Sequence, residues 1–214
     1  MVLAVGLIGF AALFLEPVHG KSQQSPGLHI CHTLAVTLFY YANEHDGKYP
    51  EGKSSTEVFQ KLVDEKYITE PDIFYFPFEG KTKWTSGKLK PENVCWDVTS
   101  GLNAGDPDET PLVFITGYRL DYRPGGSAYV LKTYNYRPAA PRTWLGWWQV
   151  NSLLIKWEYL IIGFKNNGAK SLLPPSPPLP DGSIPDVMPK TFDPKGKVYL
   201  QLTPDGPVAP APKP

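Results

Sequence analysis

The sequence predicts an α+β protein in which an N-terminal apolar helix and a following amphipathic helix pack on a small, mainly antiparallel sheet. Three observations predict it. Met1–Leu15 is fifteen residues without a charge, and Leu28–Ala42 carries apolar residues at helical spacing. Beyond these, short runs rich in β-branched and aromatic residues alternate with turn-forming stretches. The chain of 214 residues, 42% apolar and 13% aromatic, suits one globular unit with appendages. We divide it into an apolar anchor or signal segment (1–20), a globular domain (21–173) and a Pro-rich extension (174–214).

Net charge excludes one class of partner at the outset. With 21 basic and 21 acidic residues and no long run of either sign, the chain lacks the basic face that nucleic acid demands.

Met1–Leu15 is shorter than the roughly 20 residues of a spanning helix and fits the core of a secretory signal, with Val18-His19-Gly20 before a cut at Lys21. No Lys or Arg precedes it. Export to the cell envelope is the expectation, either anchored in the inner membrane or released to the periplasm or outside. Lys21–Gly27 is a polar spacer whose Pro26-Gly27 is expected to break the helix.

Leu28, Cys31, Ala35, Leu38 and Ala42 then form one helical face, and Asn43-Glu44-His45-Asp46-Gly47 stops it. Ser54-Ser55-Thr56-Glu57 opens a second helix with Val58, Phe59, Leu62 and Val63 inward. Ile73–Pro77 reads as a short β-type run and Gly80–Pro91 as a Lys-rich loop. Asn93–Val98 and Pro111–Ile115 read as strands, the second entered from the loop Gly101–Thr110. Trp144–Phe164 is interrupted by Gln149, Asn151, Lys156 and Glu158, so a pair of strands is expected there rather than a second span. Lys165-Asn166-Asn167-Gly168 is a turn. Thirteen of the 24 prolines fall between Pro174 and Pro214, predicting extended linker with one returning strand at Lys197–Leu202 and a disordered tail.

Several of these stretches resemble a known group. A Cys heading a helix, followed by Tyr41-Ala42-Asn43-Glu44-His45-Asp46-Gly47-Lys48-Tyr49-Pro50, resembles the pilin-like and pseudopilin-like "type II secretion system protein" group of Planctomycetes and Verrucomicrobia-type bacteria. Pro17 and Cys31, fourteen residues apart, keep the group's spacing from the proline that ends its apolar helix. Gly101-Leu102, Asp106-Pro107-Asp108-Glu109-Thr110-Pro111-Leu112 and Gly125-Gly126 match its later segments, so the resemblance covers about residues 1–131. The Phe-Thr-Leu-Ile-Glu block that precedes the group's helix is missing, Glu16 does not stand in its position, and Phe76 replaces its usual second Cys.

The resemblance implies a pilin-like fold and a structural or accessory subunit of a type II secretion pseudopilus or type IV pilus-like assembly. Its partners would be other pilin-like subunits or secretion components, met through the N-terminal apolar segment in the membrane. The alternative is a secreted or periplasmic binding module that keeps the fold without assembling, which the missing block and the Lys21–Gly27 junction favour.

Candidate sites are few. In an exported protein Cys31 and Cys95 form either one disulfide or two buried thiols. His29 and His32, three apart on a helix, supply half a metal site or simply a polar helix face. Asp106, Asp108 and Glu109 gather oxygen ligands for Ca²⁺, as loop cations do in major pseudopilins, or are solvated loop acids. Trp144, Trp147 and Trp148 offer a contact surface or core packing. No nucleophile elbow, His-Glu-x-x-His or phosphate loop occurs, so no enzyme is expected; a hydrolase of envelope polymers would need a carboxylate pair that nothing in the sequence indicates.

Overall fold

The computed structural model describes residues 26–134, 160–173, 179–180 and 182–208. The apolar segment 1–20, the stretch 144–159 with Trp144, Trp147 and Trp148, and the tail 209–214 lie outside the described residues.

Helix α1 (Pro26–Glu44) buries Cys31, Leu34, Ala35, Leu38, Tyr41 and Ala42. It starts at the proline expected to break it, because proline lacks only an N–H that the first turn leaves unpaired anyway. Gly27 belongs to this turn for a steric reason: a Cβ there would sit 2.6 Å from Ile161 Cδ1. The helix closes where Gly47 N donates to Ala42 O at 2.8 Å, with Asp46 and Gly47 at φ of 53° and 79°. Helix α2 (Ser55–Asp64) is capped by Ser54, whose hydroxyl accepts from Glu57 N, while the Glu57 carboxylate accepts from Lys53 N at 2.8 Å. Val58, Phe59 and Leu62 form its buried face.

The β-type run expected at Ile73–Pro77 forms no strand: Ile73 and Phe74 belong to a 3₁₀ turn, Pro71–Phe74, and Tyr75 leaves it in an extended conformation. Pro71 opens the turn with no N–H to give a ladder, and Phe74 drops inward to stack on Phe59, ring centres 4.6 Å apart.

Among the described residues eight strands follow: β1 (Trp96–Ser100), β2 (Pro111–Ile115), β3 (Tyr118–Leu120), β4 (Ala128–Val130), β5 (Leu160–Phe164), β6 (Ala169–Leu172), β7 (Leu200–Thr203) and β8 (Gly206–Pro207). Six make one antiparallel sheet in the order β6-β5-β2-β1-β7-β8, and β3-β4 form a separate ribbon. Helix α1 lies on β5, β2 and β6. The helix comes close because β5 carries Gly163, where a Cβ would meet Ala35 Cβ, Cys31 Sγ and Val113 within 3.1–3.2 Å.

The expected fold class is corrected on this evidence. The sheet is large rather than small, and the described residues are mostly β, not a pilin-like pair of helices on a small sheet. The described residues hold two α-helices, and neither is long and apolar enough to cross a membrane. The cause lies in the Pro-rich extension. Its Leu200–Thr203 inserts between β1 and β8, and Ile184, Val187, Met188 and Phe192 are buried in the core. Proline there ends strands without preventing the residues between from packing.

Candidate functional site

Cys31 and Cys95 are both buried and both free. The Cys31 thiol donates to Val113 O, whereas Cys95 accepts from Phe76 N at 3.1 Å and donates to Phe76 O. The disulfide candidate is therefore two separate thiols, each with a backbone partner of its own. Burial pushes both up, Cys95 to about 11, so neither is a nucleophile at neutral pH. His29 and His32 are exposed on α1. Among the described residues no group of three or more His, Cys, Asp or Glu side chains is arranged to hold a metal ion.

The acidic loop has other company. Asp106 pairs with Lys197 Nζ at 2.7 Å, and its carboxylate also accepts from Asn103 N at 2.7 Å. Asp108 pairs with Lys165 Nζ at 2.9 Å. These lysines supply the positive charge that the two carboxylates would otherwise take from Ca²⁺. Glu109 and Asp193 line the same open hollow of about 390 Å³.

The stretch Tyr41–Pro50 builds a corner between α1 and this loop. The His45 ring stacks on Tyr41 with centres 3.8 Å apart, its Nδ1 meets Tyr41 O at 2.8 Å, and its Nε2 lies 3.4 Å from Glu65. Ala104 N donates to Gly47 O at 2.8 Å, and Lys48 bridges to Asn103. Tyr49 is buried beneath them; burial, with Asp106 and Asp108 adding to it, pushes its hydroxyl up to about 12. Motif residues on both sides of the contact thus hold backbone in place.

A buried polar cluster escapes sequence reading. Asp97 on β1 is fully buried, and its Oδ2 accepts from Gln201 Nε2 at 2.7 Å. Gln201 also donates to Tyr118 O and accepts from Leu120 N, which ties β7 to the ribbon. Burial raises the Asp97 carboxyl to about 7, against the opposing pull of Thr116, Gln201 and Lys81. Lys81 is itself pushed down by burial and donates to Pro91 O and Val94 O. Nothing in Trp96-Asp97-Val98 marks the acid, because both its neighbours are buried as well and the alternation of a half-exposed strand is missing.

Beside the outer face of α1 runs a groove of about 380 Å³, between His29, Ile30, Thr33 and Thr37 on one side and Tyr67 and Ile73 on the other. The threonine hydroxyls donate to carbonyls one turn back, at 3.0 and 2.9 Å, while His29, Thr69 and Glu70 add polar groups to the lining. Tyr67 is fixed by a hydrogen bond to Glu44. Tyr40, further along the helix, is 59% exposed.

Comparison with protein-family models, with curated proteins and with solved structures found no match for this chain.

Proposed function

We propose that this protein is a structural or accessory subunit of a type II secretion or type IV pilus-like assembly in the cell envelope, and that it performs no covalent chemistry. The observation that carries the reading is the use of the Tyr41–Pro50 stretch. Its His45, Asp46, Gly47 and Tyr49 serve a stacked, hydrogen-bonded corner between α1 and the loop at Asn103–Ala104. The residues that resemble the secretion group are thus architectural. An exposed α1 face, separated in sequence from the apolar stretch 1–20 by the short spacer Lys21–Ser25, supports the same reading. Subunits gathered by that stretch would meet along Tyr40 and the groove, so the partner is a neighbouring subunit of the same assembly. A second reading, an exported binding module that does not assemble, draws on the groove alone.

Deletion of the gene in its native host, with envelope fractionation of the tagged protein, tests the proposal. Co-fractionation with assembly components and loss of secreted protein or surface filaments are expected. Full recovery in the soluble periplasmic fraction, with secretion unchanged, would overturn assembly in favour of the binding module.

A further inference from the structure

The β3-β4 ribbon is outside the six-stranded sheet, yet the Gln201 side chain hydrogen-bonds it to β7. Gln201 presents its carbonyl to Leu120 N at 3.0 Å and its amide to Tyr118 O at 2.6 Å. These are the two groups that a neighbouring strand would offer β3. The second amide hydrogen of Gln201 goes to Asp97 Oδ2, so the network fixes the orientation of the amide and uses both of its hydrogens. Asp97 Oδ1 is buried without a hydrogen-bond partner among the described residues.

We propose that Asp97 is a proton-operated latch: neutral, it lets Gln201 clamp the ribbon to the sheet; ionised, its buried charge favours a state in which the clamp opens to water. A carboxylate with one bare oxygen and no ion pair is costly inside a protein, and admitting water is the direct way to relieve it. The groups facing Asp97 set the balance. Burial, together with Asp205 in the β7–β8 turn, opposes the charged form, and the Thr116 hydroxyl, the Gln201 amide and the Lys81 ammonium favour it. The Cys95 thiol and the Tyr122 and Tyr134 hydroxyls also feel Asp97 and stay protonated, their own ionisation pushed to higher pH by burial. Tyr122 meets Thr99 at 2.8 Å, a side-chain tie between β1 and the ribbon's connection.

Hydrogen exchange on the full chain in mild detergent reads the latch. Protection at Tyr118–Leu120, corrected for the intrinsic exchange rate, is expected to fall by about tenfold or more between pH 6 and 8.5. Protection in α1 is expected to hold. Asp97→Asn, which keeps an acceptor for Gln201 and cannot ionise, should leave ribbon protection flat over this range. The carboxyl carbon resonance of Asp97 in the wild-type protein supplies a readout independent of the variant's folding, and its midpoint should coincide with the loss of protection. Ribbon protection that ignores pH, a loss equally large in Asp97→Asn, or a carboxyl titrating at a different midpoint would each overturn the proposal.

Discussion

Asp97 on β1 and Gln201 on β7 are joined by a 2.7 Å hydrogen bond, although the register partner of Gln201 is Thr99. The bond is a diagonal one between residues on the same face of the pair, a geometry that long side chains reach readily. It brings a fully buried carboxyl to the junction of sheet and ribbon.

This position makes stability depend on pH in an unusual direction. Folding raises the Asp97 pKa to about 7, well above that of an unfolded aspartate. The folded state therefore binds the proton more tightly, and the benefit is complete below about pH 4 and lost as pH rises through 7. A loss on the order of 4 kcal/mol follows across that window. Asp97→Asn should flatten it, so unfolding titrations of the two proteins should converge at low pH and separate, with the variant more stable, near pH 8. Parallel curves would contradict the assignment.

A second prediction concerns the α1–β5 contact. Gly163→Ala adds a methyl that meets Ala35, Cys31 and Val113 on three sides. Overpacking of this kind costs about 1–3 kcal/mol, read as a lowered denaturant midpoint with unchanged slope. A neutral substitution would mean that α1 can lift away from the sheet.

The thiols give a third. Cys31 and Cys95 are buried and free, so a thiol reagent should label neither in the folded protein and both in denaturant. Reductant should leave the melting temperature unchanged. Unlabelled cysteines in the denatured, unreduced protein would restore the disulfide that an exported chain invites.

Much of the core could be read before the structure, and the exceptions have physical causes. Strand β2 occupies Pro111–Ile115 as its composition predicts, and Ser54 caps α2. Lys197–Leu202 announced β7 through its β-branched and aromatic run between turn residues. What surrounded it misled, since proline density hid the burial of Ile184, Met188 and Phe192. Short strands carry little periodic signal, and β3, three residues long, passed unnoticed. The candidate site was less readable still. The pairing of Asp106 with Lys197 spans 91 residues, and that of Asp97 with Gln201 spans 104. No local pattern encodes such contacts.

The Asp106–Lys197 pair yields the fourth prediction. The Asp106 side chain is 9% exposed, so Lys197→Met leaves a nearly buried carboxylate without its cation. A loss of about 1–3 kcal/mol is expected. Added Ca²⁺ or a chelator should leave the wild-type melting temperature unchanged, whereas Ca²⁺ should partly rescue the variant. Stabilisation of the wild type by Ca²⁺ would show that the lysines yield to the metal.

The most direct test of the proposed role is photo-crosslinking from Tyr40, replaced by a photoreactive phenylalanine analogue in the native host. The side chain is 59% exposed on the helix face next to the groove, so substitution should leave the fold intact. Adducts that mass spectrometry assigns to subunits of a secretion or pilus-like assembly are the predicted result. A protein that stays monomeric on illumination, in cells whose assembly is intact, would contradict it.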